Sequence, residues 1–165
     1  QHYQDLESKS ATHVSFAVVF PEKTFSFKLH SSCSVFTAEI IAVLFALEEI
    51  SDRSQRYFII YTDSLSVLQS LSSFYPHPHN HPLVLNVLDL FNKLTLRGFN
   101  IMLCWVTSHV GIVGNEQADR TAKSAVPPMD MTIPVVDLKK LLYSKWQEQW
   151  DLETSNKLHA VNPSV

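Results

Sequence analysis

No apolar run in the 165-residue chain is long enough to span a bilayer, and its first residues lack the basic-then-apolar pattern of a signal peptide. Both absences predict an intracellular chain, nuclear or cytoplasmic, with no membrane partner. Cysteine is scarce. Cys33 and Cys104 fit neither a disulfide framework nor a thiolate metal site, and they read as free thiols of a reducing compartment. Basic charge is thin as well: 13 Lys and Arg stand against 16 Asp and Glu, for a formal net charge of −3. That disfavours a general nucleic-acid binder, because phosphate contacts need cations, and only a local basic patch would change it. Glycine occurs three times, and two of the three, Gly111 and Gly114, fall in one short stretch. What is present is ordinary for a globular protein: 45 % apolar and 18 % charged residues can bury one sizeable core.

Residues 57–62, rich in aromatic and β-branched side chains, end at Asp63 and read as a strand buried on both faces, as inside a parallel sheet. Apolar positions then shift to helical spacing at Leu65, Val67, Leu68 and Leu71, so strand passes directly into helix. A carboxylate at the carboxyl end of such a strand sits where open α/β sheets bind ligands. The competing reading makes Asp63 or Ser64 a helix cap. Upstream, residues 14–20 and 24–29 predict an antiparallel hairpin around Pro21-Glu22-Lys23, with Phe25, Phe27 and Leu29 alternating with polar residues. Residues 34–50 predict a helix capped by Ser34, apolar almost all round and hence mostly buried. Glu39 lies inside it. An ionised carboxylate there needs a partner, unless it snorkels at the helix N-terminus.

Residues 74–82 combine three prolines with alternating histidines; they predict a loop, either a metal site or a solvated spacer. Pro82 opens the next helix and Gly98 stops it. Residues 99–106 follow as the last strand, and the intervening helix makes a crossover consistent with parallel pairing. Gly111 and Gly114 imply a special backbone before a helix capped by Asn115, with Asp119 in its first turn or so.

Three stretches then carry a resemblance: Thr37-Ala38-Glu39 opening a buried helix, Tyr61-Thr62-Asp63-Ser64 ending a strand, and Trp105 followed by a loop with His109 and by Gly114-Asn115-Glu116-Gln117-Ala118-Asp119. In order and separation they resemble the ribonuclease H family across residues 1–126, and in particular the domains carried by non-long-terminal-repeat retrotransposon polyproteins downstream of a reverse transcriptase. The resemblance implies an α/β fold with a five-stranded mixed sheet, its first three strands antiparallel, flanked by helices. It implies that Glu39, Asp63 and Asp119 are catalytic and metal-binding, that His109 assists turnover, and that two magnesium ions, or manganese, serve as cofactors. The substrate it implies is an RNA–DNA hybrid whose RNA strand is hydrolysed, and the partner an upstream reverse transcriptase in the same polyprotein.

The chain departs from that family at the first carboxylate, where the family has Asp-Gly-Ser and this sequence reads Gln4-Asp5-Leu6-Glu7-Ser8. An ungapped alignment on Ser8-Lys9-Ser10 puts Leu6 at the Asp position; one inserted residue puts Asp5 there, and Glu7 is a poorer choice. A slip of one residue turns a strand side chain to the opposite face. Asp5 is the expected fourth catalytic and metal-binding residue. Without it the fold would persist as a catalytically degenerate nucleic-acid or protein interaction module. An integrase-like nuclease is disfavoured by the Gly114 to Asp119 motif, and the family's basic hybrid-binding protrusion is not evident in residues 74–82. Beyond these residues, Pro127-Pro128 marks a boundary before a helical appendage spanning 127–165. Leu138, Leu141, Leu142, Trp146 and Trp150 recur there at helical spacing and are expected to pack, and residues after Asp151 are expected to form a mobile tail.

Overall fold

The computed structural model describes residues 14–72, 81–107, 111 and 113–153. Asp5, Glu7, His77, His79, His109 and the segment 154–165 lie outside the described residues. Strands β1 (Val14–Val19) and β2 (Thr24–Leu29) form the expected hairpin, with Phe16 opposite Phe27 and Val18 opposite Phe25. Its turn is closed by Phe20 N–H donating to the Lys23 carbonyl at 2.8 Å. Helix α1 (Val35–Ser51) follows, then β3 (Tyr57–Thr62), α2 (Leu65–Ser72), α3 (Pro82–Leu96) and β4 (Asn100–Trp105). The crossover through α2 and α3 makes β3 and β4 parallel, with Thr62 opposite Trp105. Helices α4 (Val113–Lys123) and α5 (Val135–Leu152) complete the described elements. Among the described residues the strands form two two-stranded sheets, β1-β2 and β3-β4, rather than one five-stranded sheet.

Helix α1 is the axis of the core because its apolar positions point two ways. Ile40, Val43, Leu47 and Ile50 pack with Val67 of α2, Val84, Val87 and Leu94 of α3, and Phe99. Ala38 and Ile41 face the hairpin instead, joining Val14, Phe16 and Leu29. The ring of Phe45 sits 5.0 to 6.1 Å from those of Phe16, Phe25 and Phe27. Each fully buried Leu or Ile of this kind stabilises the fold by about 1.5–3 kcal/mol.

The helix ends follow local chemistry. Ser34 caps α1, its Oγ accepting Thr37 N–H at 3.2 Å. At the end of α3, Gly98 has φ +84°, a conformation that favours glycine. Its N–H donates to the Thr95 carbonyl, and Phe99 N–H donates to the Leu94 carbonyl, both at 3.0 Å, while Leu94 and Phe99 bury together. This is a complete Schellman stop, hydrophobic contact included.

Two expectations need correction. Strand β3 is not buried on both faces: Tyr57, Ile59 and Tyr61 are exposed, while Phe58 and Ile60 pack on the α1–α3 core. Met102 of β4, opposite Ile59, extends that outer face, and an apolar run cannot by itself reveal whether a second layer covers it. Likewise α5 does not bury its apolar stripe. Leu138, Leu142, Tyr143 and Trp146 are exposed, and the residue of α5 that is buried is Asp137. The segment leading to it is stitched to the hairpin. Lys28 N–H donates to the Pro127 carbonyl and Met129 N–H to the Lys28 carbonyl, both at 2.8 Å, while Met129, Met131 and Ile133 pack beside the hairpin core.

His81, from the Pro/His loop, is the N-cap of α3, its Nδ1 accepting Leu83 N–H at 3.3 Å. Burial lowers its pKa below the ordinary histidine value, against the opposing pull of the Asp137 carboxylate and with a smaller push from Lys140. A base with a depressed folded pKa binds its proton more readily when unfolded, so acid costs stability. Melting measured from pH 8 downward is expected to show stability falling once pH drops below the ordinary histidine range, down through the folded pKa. His81→Asn, which keeps a capping oxygen, should flatten that limb; an unchanged slope would remove His81 as its source.

Candidate active site

A cavity of about 480 Å³ lies between β1, β3, α1 and α4, and the described carboxylates singled out by the sequence, Glu39, Asp63 and Asp119, all line it. Each arrives by a different route. Glu39 sits in the second turn of α1, between Ala38 and Ile40, both buried, so the helix that builds the core also presents this acid. Asp63 directly follows the last residue of β3, and Asp119 lies in the second turn of α4.

The three groups feel one another. Burial first, and then the negative charges of Asp63 and Asp119, raise the Glu39 pKa from 4.5 to about 7. Asp119 Oδ2 is paired with Lys123 Nζ at 2.8 Å, one turn along α4. Asp63 Oδ2 accepts a hydrogen bond from Asn115 Nδ2 at 3.0 Å, and its backbone carbonyl accepts one from Trp105 Nε1 at 3.2 Å. Its carboxylate therefore reaches across to α4, which favours the ligand-site reading over a role confined to capping α2.

Asn115 is the residue whose role the sequence did not disclose. It was expected to cap α4, but that helix begins two residues earlier, at Val113, and Asn115 turns its amide to Asp63 instead. The shift also carries Asp119 beyond the first turn. Glu116 was likewise unassigned. Its Oε1 accepts Gly111 N–H at 3.1 Å, and Gly111 has φ +82°, so Gly111 is tied to the first turn of α4 in a left-handed conformation. Short polar residues at a helix start suit both capping and long-range bonds, and sequence alone does not choose between them.

Carboxylates supply hard oxygen donors, the chemistry that suits magnesium or manganese, and a cation would relieve their mutual repulsion. Among the described residues, no three His, Cys, Asp or Glu side chains are gathered closely enough to hold an ion by themselves. Asp5 and His109 are outside the described residues.

The fold and the acid-lined cavity define a nuclease-like α/β domain. A family model described as RNase H matches residues 5–127, and the chain belongs to the ribonuclease H family. Domains of this family hydrolyse the RNA strand of RNA–DNA hybrids and generally depend on a divalent metal. Among solved structures, the chain is similar to RNase H1 from the halophilic archaeon Halobacterium salinarum NRC-1. That match has a TM-score of 0.50 and 21 % identity, and it covers 68 % of this chain and 83 % of the other. At that identity the likeness speaks for the fold. No helix among the described residues is long and apolar enough to cross a membrane.

Proposed function

We propose that this chain is an active ribonuclease H domain of a non-long-terminal-repeat retrotransposon polyprotein, acting beside an upstream reverse transcriptase and cutting the RNA of hybrids by a two-metal mechanism. The observation that carries the reading is the convergence of Glu39, Asp63 and Asp119 on one cavity, close enough for the charges of the two aspartates to raise the pKa of Glu39. In this reading residues 1–126 are the catalytic domain and 127–165 a C-terminal appendage that includes α5.

Glu39, Asp63, Asp119 and Asp5 would hold the two ions. Bound divalent cations would supply Lewis-acid activation of water and neutralise charge on the departing oxygen. The chain's own residues do the rest. Asn115 orients the Asp63 carboxylate. Glu116 holds Gly111 through its N–H, and His109, two residues earlier in the sequence, would exchange a proton with the cleaved site. Water adds to phosphorus, and the bond to the departing oxygen breaks. Contacts to the 2′-hydroxyl distinguish the RNA strand from DNA.

The five-stranded sheet in this reading needs one more strand. Asp5, the fourth ligand in this reading, lies outside the described residues. The test is hybrid cleavage in magnesium by the wild type, Asp5→Asn and Glu7→Gln. Cleavage by the wild type and Glu7→Gln but not by Asp5→Asn is expected. Activity surviving in Asp5→Asn overturns the assignment of the fourth ligand. A wild type that binds hybrid without cutting it would instead be the interaction module.

A further inference from the structure

Asp137, 1 % exposed, is the charged side chain most shielded from solvent among the described residues, and it belongs to α5, beyond the residues the family model matches. Its Oδ2 accepts two hydrogen bonds from the start of α1, one from Ser34 N–H at 3.0 Å and one from the Thr37 hydroxyl at 2.5 Å. Thr37 is wholly buried. Its Oγ1 also lies 3.0 Å from Ser34 Oγ and 3.2 Å from His81 Nε2.

One proton assignment satisfies these contacts. The Thr37 hydroxyl donates to the carboxylate, so its lone pairs accept from Ser34 Oγ–H and from His81 Nε2–H. His81 Nδ1 accepts from Leu83 N–H, as the neutral ring requires. The first turns of α1, α3 and α5 meet here, and the positive ends of three helix dipoles favour a negative charge at the junction. Asp137 Oδ1 is the buried side-chain atom without a hydrogen-bond partner among the described residues. A buried charge with one unpartnered oxygen is costly. The carboxylate is thus poorly explained as packing and well explained by the two α1 donors that it holds.

Thr37 stands two residues before Glu39 on the same helix. We propose that Asp137 is a positioning residue for the active site: α5 reaches back to clamp the first turn of α1 and so holds the backbone that presents Glu39 to the cavity. This rests on the reading of Glu39 as an active-site carboxylate. Without the clamp, Ser34 N–H and the Thr37 hydroxyl lose their shared acceptor, the first turn loosens, and Glu39 is presented in more than one position.

The test uses the full chain with Thr37→Val, which keeps shape and loses the hydroxyl, Thr37→Ser, which keeps the hydroxyl, and Asp137→Leu. Val87→Ala, in the core away from the cavity, serves as a destabilised control. Thr37→Val and Asp137→Leu are expected to lower kcat for hybrid cleavage by about 10- to 100-fold and to raise the magnesium needed for half-maximal rate, with KM for hybrid little changed. Thr37→Ser should recover most of the loss, and Val87→Ala should lose stability without changing the magnesium requirement. If Asp137→Leu does not fold, Thr37→Val decides. A Thr37→Val enzyme that keeps the wild-type kcat and magnesium requirement overturns the proposal. Amide hydrogen exchange separates this failure from failure of the proposed function. Should the wild type not cleave hybrids, exchange that quickens at residues 38–40 but not in α3 of Thr37→Val still supports the clamp, and uniform quickening overturns it.

Discussion

In metal-free solution at pH 8, Glu39→Gln is expected to melt higher than the wild type. The folded pKa of Glu39 is about 7 against 4.5 for the free group, raised by burial and then by Asp63 and Asp119. An acid with a raised folded pKa keeps its proton more readily when folded, so between pH 4.5 and 7 the folded state binds more protons than the unfolded one. Stability then falls as pH rises through that window. A shift of this size corresponds to at most about 3 kcal/mol, and for a chain of this length that is on the order of 10 °C in Tm. Glutamine removes the ionisable group, so the advantage of Glu39→Gln should be near zero at pH 4.5, grow to pH 7 and then level off. Magnesium favours the ionised form and should raise the wild-type Tm more at pH 8 than at pH 5. Scanning calorimetry with chelator, and then with magnesium, at several pH values measures both effects. A difference between the two proteins that does not vary with pH would show that Glu39 is not held protonated in the fold.

Asp63→Asn is expected to cut hybrid cleavage by roughly a thousandfold, the equivalent of about 4 kcal/mol of lost charge stabilisation at the reacting phosphate. The substitution is close to isosteric, and its amide oxygen can still accept from Asn115 Nδ2. The loss would therefore report the charge and not the shape. Asp119→Asn should be similarly inactive, although it also breaks the pair with Lys123, so its melting point need not follow that of Asp63→Asn. Asn115→Ala leaves all the carboxylates and removes only the bond that orients Asp63; a loss of about 10- to 100-fold is expected. Single-turnover cleavage of a hybrid, with circular dichroism to confirm folding, measures the series. Asp63→Asn retaining activity within tenfold of the wild type would remove it from the catalytic set.

By itself the sequence determined whatever depends on neighbours a few residues away. Ser34 begins α1 because its hydroxyl meets an amide three residues on. Gly98 ends α3 because the left-handed turn costs glycine least, and Pro21 to Lys23 turns the hairpin. The switch from strand to helix after Asp63 was legible in the same way, from a change of apolar period. The pairing of three carboxylates into one site was legible only through the resemblance, since they lie far apart along the chain. Tertiary structure decided the rest. It left the outer face of β3 exposed, turned Asn115 from cap to partner of Asp63, and set Trp146 at the surface while burying Asp137 against Ser34 and Thr37. In each case the outcome depends on what packs against the residue from a distant part of the chain. Apolar period says which residues share a face but not whether another layer covers it, and the cost of burying a carboxylate depends on donors supplied by other elements.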